Sequence, residues 1–220
     1  MGRVIVAALT ALAASSAPAA AQCPDGSPPP CRARLAAPTP IDSFLIDRTE
    51  VTVEQYAKYV ETASIPAPWL ELPADSLPVS GVMWEEARDY CLHLGERLPT
   101  EAEWEAAARS SDGWSYPWGN SWESGRANAG NAWERLVPVG SHRSGASPAG
   151  ALDMAGNVWE WTSTRGTMSD NGMSQYIIRG GAFDSPAERI TTYYRVAYPA
   201  QVRERQRQEY FGKIGFRCAR

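Results

Sequence analysis

The order of apolar and polar residues along the chain predicts its first strand and first helix. Residues 44–52, FLIDRTEVT, are rich in β-branched and apolar residues, which is typical of a strand. Thr52 and Gln55 have the spacing of a helix-capping box, so a helix is expected to begin after Thr52. The apolar residues that follow fall on one helical face. These residues are Val53, Tyr56, Ala57, Val60 and Ala63.

The same kinds of pattern predict two more helices and two strands in the C-terminal part of the chain. Residues 84–94 place their apolar side chains on one helical face and leave His93 on the opposite, solvent-facing side. Residues 100–103, TEAE, form a second capping box, so a third helix is expected to begin there. Strand character returns at residues 175–179 and 214–219.

The stretch between residues 110 and 189 shows little periodicity and is dense in Gly, Asn, Ser and Pro. So long an irregular stretch is unusual in a compact domain unless it is functional or braced. A disordered segment would be poor in aromatic residues. We therefore expect ordered, aromatic-packed loops, because six of the nine Trp residues lie here: Trp114, Trp118, Trp122, Trp133, Trp159 and Trp161.

Residues 1–21 have the features of a secretory signal peptide. A single charge at Arg3 precedes a short apolar run, and small residues follow up to the predicted cleavage point before Gln22. The apolar run is too short to span a bilayer and remain there. The sequence therefore predicts export to the periplasm or the cell exterior, without a stable membrane span.

Behind the signal peptide we expect a leader and one folded domain. Residues 22–40 are Pro-rich and predict an extended leader, and residues 41–220 remain for the domain. All four cysteines follow the cleavage point, and an even number in an oxidising compartment predicts two disulfides. Four cysteines allow three pairings, and their spacing does not choose among them. The cysteines are Cys23, Cys31, Cys91 and Cys218.

Composition places the chain among soluble globular proteins. Of its 220 residues, 44% are hydrophobic and 21% are charged, and the formal net charge of −4 gives no overall attraction to nucleic acid. Residues 41–105 contain 14 acidic and 4 basic side chains, whereas residues 161–220 contain 5 and 10. These two parts can pack together and neutralise each other, or arginines can line a cleft for an acidic ligand. The arginines in question are Arg189, Arg195, Arg203, Arg205 and Arg207.

Several catalytic motifs are absent from the sequence, among them G-x-S-x-G, H-E-x-x-H, the P-loop and G-x-G-x-x-G. With only His93 and His142 as imidazoles, neither a histidine-based triad nor a structural zinc site is expected. Asp153 and Glu160 flank a glycine in the loop-forming stretch DMAGNVWE. Calcium binds carboxylates and carbonyls in such bent loops, but two acidic residues in one loop are also commonly just solvated. Spacing alone leaves both interpretations open.

Five longer strings stand out: GERLPTEAEWEAA at 95–107, YPWGN at 116–120, LDMAGNVWEW at 152–161, RGGAF at 179–183 and GFRCA at 215–219. The segments RLPTEAEWE and GNVWEW within them are together highly specific. The residues of these motifs and their order along the chain resemble the formylglycine-generating enzyme family, also called sulfatase-modifying factors. The resemblance covers about residues 41–220.

The resemblance implies a single α+β domain that is related to C-type lectin folds. Such a domain has little regular secondary structure, Trp-rich loops and calcium that braces those loops. The implied ligands of one calcium are the Asp153 and Glu160 side chains and the carbonyls of Gly156 and Val158. A second family site would begin with Asn128 and Ala129, but its later ligands fall in a region that is shortened here.

The family's known chemistry oxidises a sulfatase cysteine to formylglycine with oxygen and a copper ion held by two cysteines. The matching positions here are Ser185 and Ile190, and neither supplies the sulfur that Cu(I) requires. An iron-dependent branch of the family makes sulfoxides and draws its histidine ligands partly from an additional helical domain, whereas this sequence shows no such domain and has only two histidines. Neither copper nor iron is therefore expected. The resemblance also implies a Cys91–Cys218 disulfide, which leaves Cys23 to pair with Cys31.

We therefore expect an exported, non-oxidase binding or accessory module of this family. The alternative is a divergent family enzyme, an oxidoreductase that acts on a protein cysteine or a small substrate through other residues. The expected ligand is a peptide or a small molecule, acidic if arginines line the cleft, and the protein is expected to be a monomer. The candidate cleft residues are Trp161, Phe183, Ser185, Arg189 and Arg195.

Overall fold

The structure of the protein is a computed structural model that describes residues 2–6, 44–68, 73–167 and 172–220. Near its N-terminus, strand β1 (Arg3–Val6) pairs antiparallel with β2 (Phe44–Asp47). The other edge of β2 bonds to the end of the chain, where the Asp47 N–H donates to the Cys218 carbonyl at 2.9 Å. The strand predicted over residues 44–52 thus ends at Asp47, because the chain turns there towards the first helix.

Three helices precede the irregular region, as predicted. Both predicted capping boxes are present: the side chains of Thr52 and Thr100 each accept a hydrogen bond from the N–H three residues further on. His93 is exposed at the end of the second helix, which confirms its predicted position. The helices are α1 (Val53–Ala63), α2 (Trp84–His93) and α3 (Glu101–Ala108).

The main sheet has four strands in the order β5-β4-β3-β6. The neighbouring strands β5 and β4, and β4 and β3, are antiparallel, and β6 is parallel to β3. The strands are β3 (Trp159–Arg165), β4 (Gln175–Arg179), β5 (Arg195–Pro199) and β6 (Ile214–Gly215).

Two of these four strands were not predicted from the sequence. Strand β3 falls in the stretch predicted to be irregular, because it lacks alternation: Glu160, Trp161 and Thr162 are all buried in succession. Strand β5 has no fully buried residue, so its pattern is equally weak. In both strands the pairing with β4, not the local pattern, creates the regular structure.

The remaining regular elements are short. Residues 109–158 contain a single helical turn, Arg143–Gly145, which agrees with the low regular content predicted for this stretch. A further short helix, α4 (Arg207–Phe211), lies between β5 and β6. Among the described residues, no helix is long and apolar enough to cross a membrane.

The main core lies between α1, α2 and the sheet. It includes the buried aromatic side chains of Tyr56, Tyr90, Trp161 and Phe216. The Cys91–Cys218 disulfide is present, with an S–S distance of 2.06 Å, and it fastens α2 to the end of the chain. Residues 7–43 lie outside the described residues, so the predicted leader, the Cys23–Cys31 pair and most of the predicted signal peptide are not tested.

Candidate functional site

A cleft of about 690 Å³ opens over one face of the main sheet. One wall is the segment that follows β4, and the others come from residues 134–136 and 208–213. The floor is apolar and consists of Trp159, Ile178, Val196, Tyr198 and Ile214. An apolar floor inside a polar rim is the usual construction of a ligand pocket.

Two glycines direct the chain from β4 into the cleft wall. Gly180 and Gly181 have φ angles of 91° and 76°, which side chains rarely tolerate. A Cβ atom on Gly181 would lie 2.5 Å from the Ile190 side chain. Glycine therefore permits both the turn and the close packing of the segment that follows.

Three predicted cleft residues lie in this wall: Phe183, Ser185 and Arg189. The Ser185 side chain is buried, and its hydroxyl oxygen accepts a hydrogen bond from the Ala182 N–H at 3.0 Å. Ile190, the second position that matches a copper-binding cysteine, is fully buried in an apolar cluster with Tyr116. The two positions thus hold a hydroxyl group that already accepts a hydrogen bond and an aliphatic side chain that is packed in an apolar cluster.

The other two predicted cleft residues do not line the cleft. Trp161 is fully buried, its ring centroid lies 6.3 Å from that of Tyr198, and its indole N–H donates to the Val82 carbonyl at 3.0 Å. Arg195 points to α3 and pairs with Glu101 at 3.0 Å. Trp159 and Tyr198 line the cleft but were not predicted there, because the strands that carry them, β3 and β5, show no alternating pattern in the sequence.

The structure does not support an arginine-lined cleft. Of the five arginines considered, only Arg189 lies at the rim. Arg207 forms an ion pair with Glu86 at 2.7 Å on α2. The charged rim residues are balanced in sign: Arg135, Arg189 and Lys213 against Glu134, Asp184 and Glu209.

The uneven charge along the sequence instead reflects packing between its two parts. Ion pairs join arginines from the C-terminal part to acidic residues of the N-terminal part, so the neutralisation alternative is confirmed. The pairs are Arg207 with Glu86, Arg195 with Glu101, and Arg179 with Glu101 and Glu105.

A buried cluster of charged groups is centred on Arg217. Arg217 and Glu160 are both fully buried, and the guanidinium donates to both carboxylate oxygens at 2.7 Å. The Trp104 indole N–H donates to the same Oε2 at 2.7 Å. Burial opposes the charge on Arg217, but Glu160 outweighs this effect and raises the pKa of Arg217. Glu160 Oε2 therefore already accepts two strong hydrogen bonds.

Two further buried carboxyl groups, Glu50 and Asp153, interact in the same cluster. Burial, and then the charge of Asp153, raise the pKa of Glu50 well above its ordinary value. Burial also raises the pKa of Asp153, against a hydrogen bond from the Gly140 N–H at 2.5 Å. Asn157 donates to Glu50 at 3.0 Å. Two interacting buried carboxyl groups favour a shared proton or a cation between them.

The predicted calcium ligands fit a cation in part. Within the described residues no backbone hydrogen bond reaches the carbonyls of Gly156 or Val158, so both are available as ligands. Three carboxyl groups face a single guanidinium in this cluster, and a cation near Asp153 and Glu50 would favour the charged forms that burial disfavours there. Glu160, in contrast, already has Arg217 as its counter-charge. Calcium at this cluster stays a prediction.

Asn128, the first residue of the second predicted calcium site, lies in the same region. Its side-chain N–H donates to Asn157 at 3.1 Å and to the Arg135 carbonyl at 3.0 Å. Its Oδ1 is buried and has no hydrogen-bond donor among the described residues. Ala129 packs in the apolar cluster with Ile190. The second calcium site also stays a prediction.

This fold and cleft define an α+β domain of the C-type-lectin-like kind. The chain belongs to the sulfatase-modifying factor family, because the family profile described as "Sulfatase-modifying factor enzyme 1-like domain" matches residues 25–220. The fold class and the family resemblance given by the sequence are therefore confirmed.

Curated relatives include both inactive and active members of this family. The chain is 35% identical over 159 residues to the inactive C-alpha-formylglycine-generating enzyme 2 of Bos taurus, covering 64% of this chain and 50% of that protein. It is 42% identical over 99 residues to the formylglycine-generating enzyme of Mycobacterium tuberculosis, covering 40% of this chain and 33% of that protein. The chain thus spans half or less of the length of these relatives.

Solved structures show the same fold at low sequence identity. CarF superposes with a TM-score of 0.69 at 20% identity, covering 99% of this chain and 97% of that chain. PvdO from Pseudomonas aeruginosa gives 0.66 at 23% identity, covering 81% and 80%. At these identities the likeness concerns the fold alone.

Proposed function

We propose that this chain is a non-oxidase member of the family, an exported binding or accessory module whose cleft takes a peptide or a small molecule. One observation carries the proposal: the positions that would hold copper are Ser185 and Ile190. The first is a buried hydroxyl that is already hydrogen-bonded, and the second is a fully buried aliphatic side chain. Soft Cu(I) requires thiolates, which neither residue offers.

The state of Cys91 and Cys218 also supports a non-oxidase function. Cys91 and Cys218 are joined in a disulfide, so neither sulfur can act as a metal ligand or a nucleophile. The relative of Bos taurus with 35% identity is itself named an inactive enzyme. Loss of the oxidase reaction is therefore compatible with this fold.

The form of the cleft favours binding. It combines an apolar floor with rim charges of both signs, which suits a ligand with an apolar anchor and polar or mixed-charge flanks. The rim offers Arg135, Arg189 and Lys213, but Glu134, Asp184 and Glu209 lie beside them, so the rim does not favour a strongly acidic ligand. We therefore propose an apolar side chain of a peptide, or a small molecule of similar character, as the group that enters the cleft.

Copper binding provides the test. The wild-type protein should bind no stoichiometric Cu(I) and should consume no oxygen with a cysteine-containing peptide. The double variant Ser185→Cys/Ile190→Cys should bind Cu(I), because it places thiols at both family positions. Ser185→Ala/Ile190→Val is the matched control without thiols.

Copper or iron in the purified wild-type protein, together with oxygen consumption, would contradict the proposal. That result would instead support the alternative of a divergent oxidoreductase. Export is tested separately by the mass of the protein recovered outside the cytoplasm, which should begin at Gln22.

A further inference from the structure

A second pocket lies where β3 ends, β4 begins and β5 ends. Its volume is about 520 Å³, and it shares no lining residue with the cleft described above. One side consists of residues in the N-terminal half of α2, and the others are residues 172–174 and 200–201. A volume of this order suits a small organic molecule and is larger than a single inorganic ion needs.

Two stacked aromatic rings line this pocket, and an arginine lies over each of them. The rings of Trp84 and Tyr176 are stacked, with their centroids 3.6 Å apart and their planes at 9°. The Arg88 guanidinium lies 5.3 Å from the Trp84 ring centroid, and the Arg165 guanidinium lies 5.8 Å from that of Tyr176. Such contacts orient a guanidinium through its flat face and leave its N–H groups able to donate to a ligand.

An irregularity in β3 brings Arg165 to this position. Trp161 lies opposite Ile178 on β4. Regular antiparallel pairing would then place Ser163 opposite Tyr176. Because β3 contains extra residues at this point, Arg165 takes that place instead. Bulges of this kind redirect side chains and are common beside functional sites.

Contacts outside the sheet hold the extra residues of β3. The Thr162 carbonyl accepts a hydrogen bond from the Trp84 indole N–H at 2.8 Å. Thr164 Oγ1 accepts one from the Glu101 N–H at 2.9 Å. The starts of α2 and α3 therefore maintain the irregularity, and with it the place of the arginine over the Tyr176 ring.

The pocket offers mainly hydrogen-bond donors. Arg165 is exposed, and among the described residues no carboxylate pairs with it. The Tyr176 ring is buried, but its hydroxyl has no hydrogen-bond partner within the part of the chain that the structure describes. Arg88 uses two of its nitrogens on Asp89, and its Nη1 stays available. Glu85, the acidic residue of the lining, is exposed and can accept hydrogen bonds from ligand hydroxyl groups.

We propose that this second pocket binds a small organic molecule that carries an oxyanion, either a phosphate or a carboxylate. Arg165 binds the oxyanion through its fork of N–H groups, which is the geometry that both kinds of oxyanion match. The Tyr176 hydroxyl donates to the same group, and Arg88 adds positive charge. Because the two pockets share no lining residue, this site is independent of the ligand of the cleft and of the absence of copper.

An NMR titration of the isotope-labelled full chain with three sugars tests the proposal. Glucose 6-phosphate carries a phosphate, glucuronate carries a carboxylate, and glucose is the uncharged control. At least one charged sugar should shift the amide signals of Gly166 and Ser174 to saturation, and glucose should not. Arg165→Gln should weaken this binding at least about tenfold, because the charge-assisted hydrogen bonds are lost. Arg143→Gln is the matched control at an exposed arginine outside both pockets, and it should bind like the wild type.

The charged sugar that binds identifies the oxyanion, and binding of both would show that the site accepts either. The proposal is overturned if neither charged sugar shifts these amides more than glucose does, or if the Arg165→Gln and Arg143→Gln variants bind equally well. If Arg165→Gln alone disturbs amides throughout the sheet, Tyr176→Phe decides the question. It keeps the ring that stacks on Trp84 and removes only the hydroxyl, so it should weaken binding several-fold, and an unchanged affinity would refute the site.

Discussion

At the scale of single residues, the ion pair between Arg217 and Glu160 is the clearest determinant of stability. Both side chains are fully buried, and the pair is completed by the Trp104 indole N–H. A buried pair contributes little compared with apolar residues of the same size, but a lone buried charge is very unfavourable.

Arg217→Met should therefore lower the free energy of unfolding by about 3–5 kcal/mol, because it leaves Glu160 charged and buried. Urea unfolding measures this loss. The double variant Arg217→Met/Glu160→Gln should recover part of it, since Glu160 no longer carries a buried charge, but not all of it, because Glu50 and Asp153 also lose the guanidinium. A loss as small as that of an exposed pair, about 0–1 kcal/mol, would show that the pair is not buried in solution.

Asp153 gives the second prediction at this scale. If calcium binds beside Asp153 and Glu50, millimolar calcium should raise the melting temperature of the wild-type protein. Mass action gives about 2.7 kcal/mol when calcium is at 100 times its Kd. Asp153→Ala should lose this response, while Asp112→Ala, at an exposed loop position, should keep it. Identical melting curves in chelator and in calcium would refute the site.

At the scale of elements, the start of α3 shows how far local sequence determines structure. The Thr100 hydroxyl oxygen accepts the Glu103 N–H at 3.2 Å, and Glu103 Oε2 accepts the Thr100 N–H at 2.8 Å. Glu103 also pairs with Arg97 on the preceding segment at 2.6 Å. The capping box and this ion pair thus hold both the first turn of α3 and the segment that leads into it.

Thr100→Ala should reduce stability by about 1 kcal/mol, since the first turn of α3 loses its side-chain acceptor. Chemical denaturation measures the loss. Thr100→Ser keeps the hydroxyl and serves as the control, so it should remain close to the wild type. Equal stability of the Ala and Ser variants would mean that the cap contributes nothing.

At the scale of the whole molecule, the Cys91–Cys218 disulfide joins residues 127 positions apart. It connects α2 to the end of the chain, which in turn bonds to β2 and to Arg97. A crosslink over so long a span restricts the unfolded chain strongly.

Cys91→Ser/Cys218→Ser should therefore cost about 4–5 kcal/mol by the chain-entropy model. The melting temperature of the variant should fall markedly. Cys23→Ser/Cys31→Ser should have little effect, because the predicted Cys23–Cys31 pair would close a far shorter loop. Peptide mapping without reductant checks the pairing, and a Cys23–Cys91 or Cys23–Cys218 peptide would disprove it.

The sequence by itself determined the features that depend on near neighbours. The helices follow from the spacing of apolar residues and from the capping pairs at Thr52 and Thr100, whose partners lie three residues away. The family motifs added the fold class and the Cys91–Cys218 pairing. The absence of thiols at Ser185 and Ile190 was likewise readable from the chain alone.

Only the tertiary structure decided which side chains form the cleft. Trp159 and Tyr198 reach its floor because β3 and β5 both pair with β4, and neither strand has an alternating pattern that would reveal it. Trp161 and Arg195 were expected in the cleft, but one is buried in the core and the other is paired with Glu101. Glu50 joins Asp153 from more than a hundred residues away. Contacts of this kind depend on packing between distant segments, which residue spacing does not record.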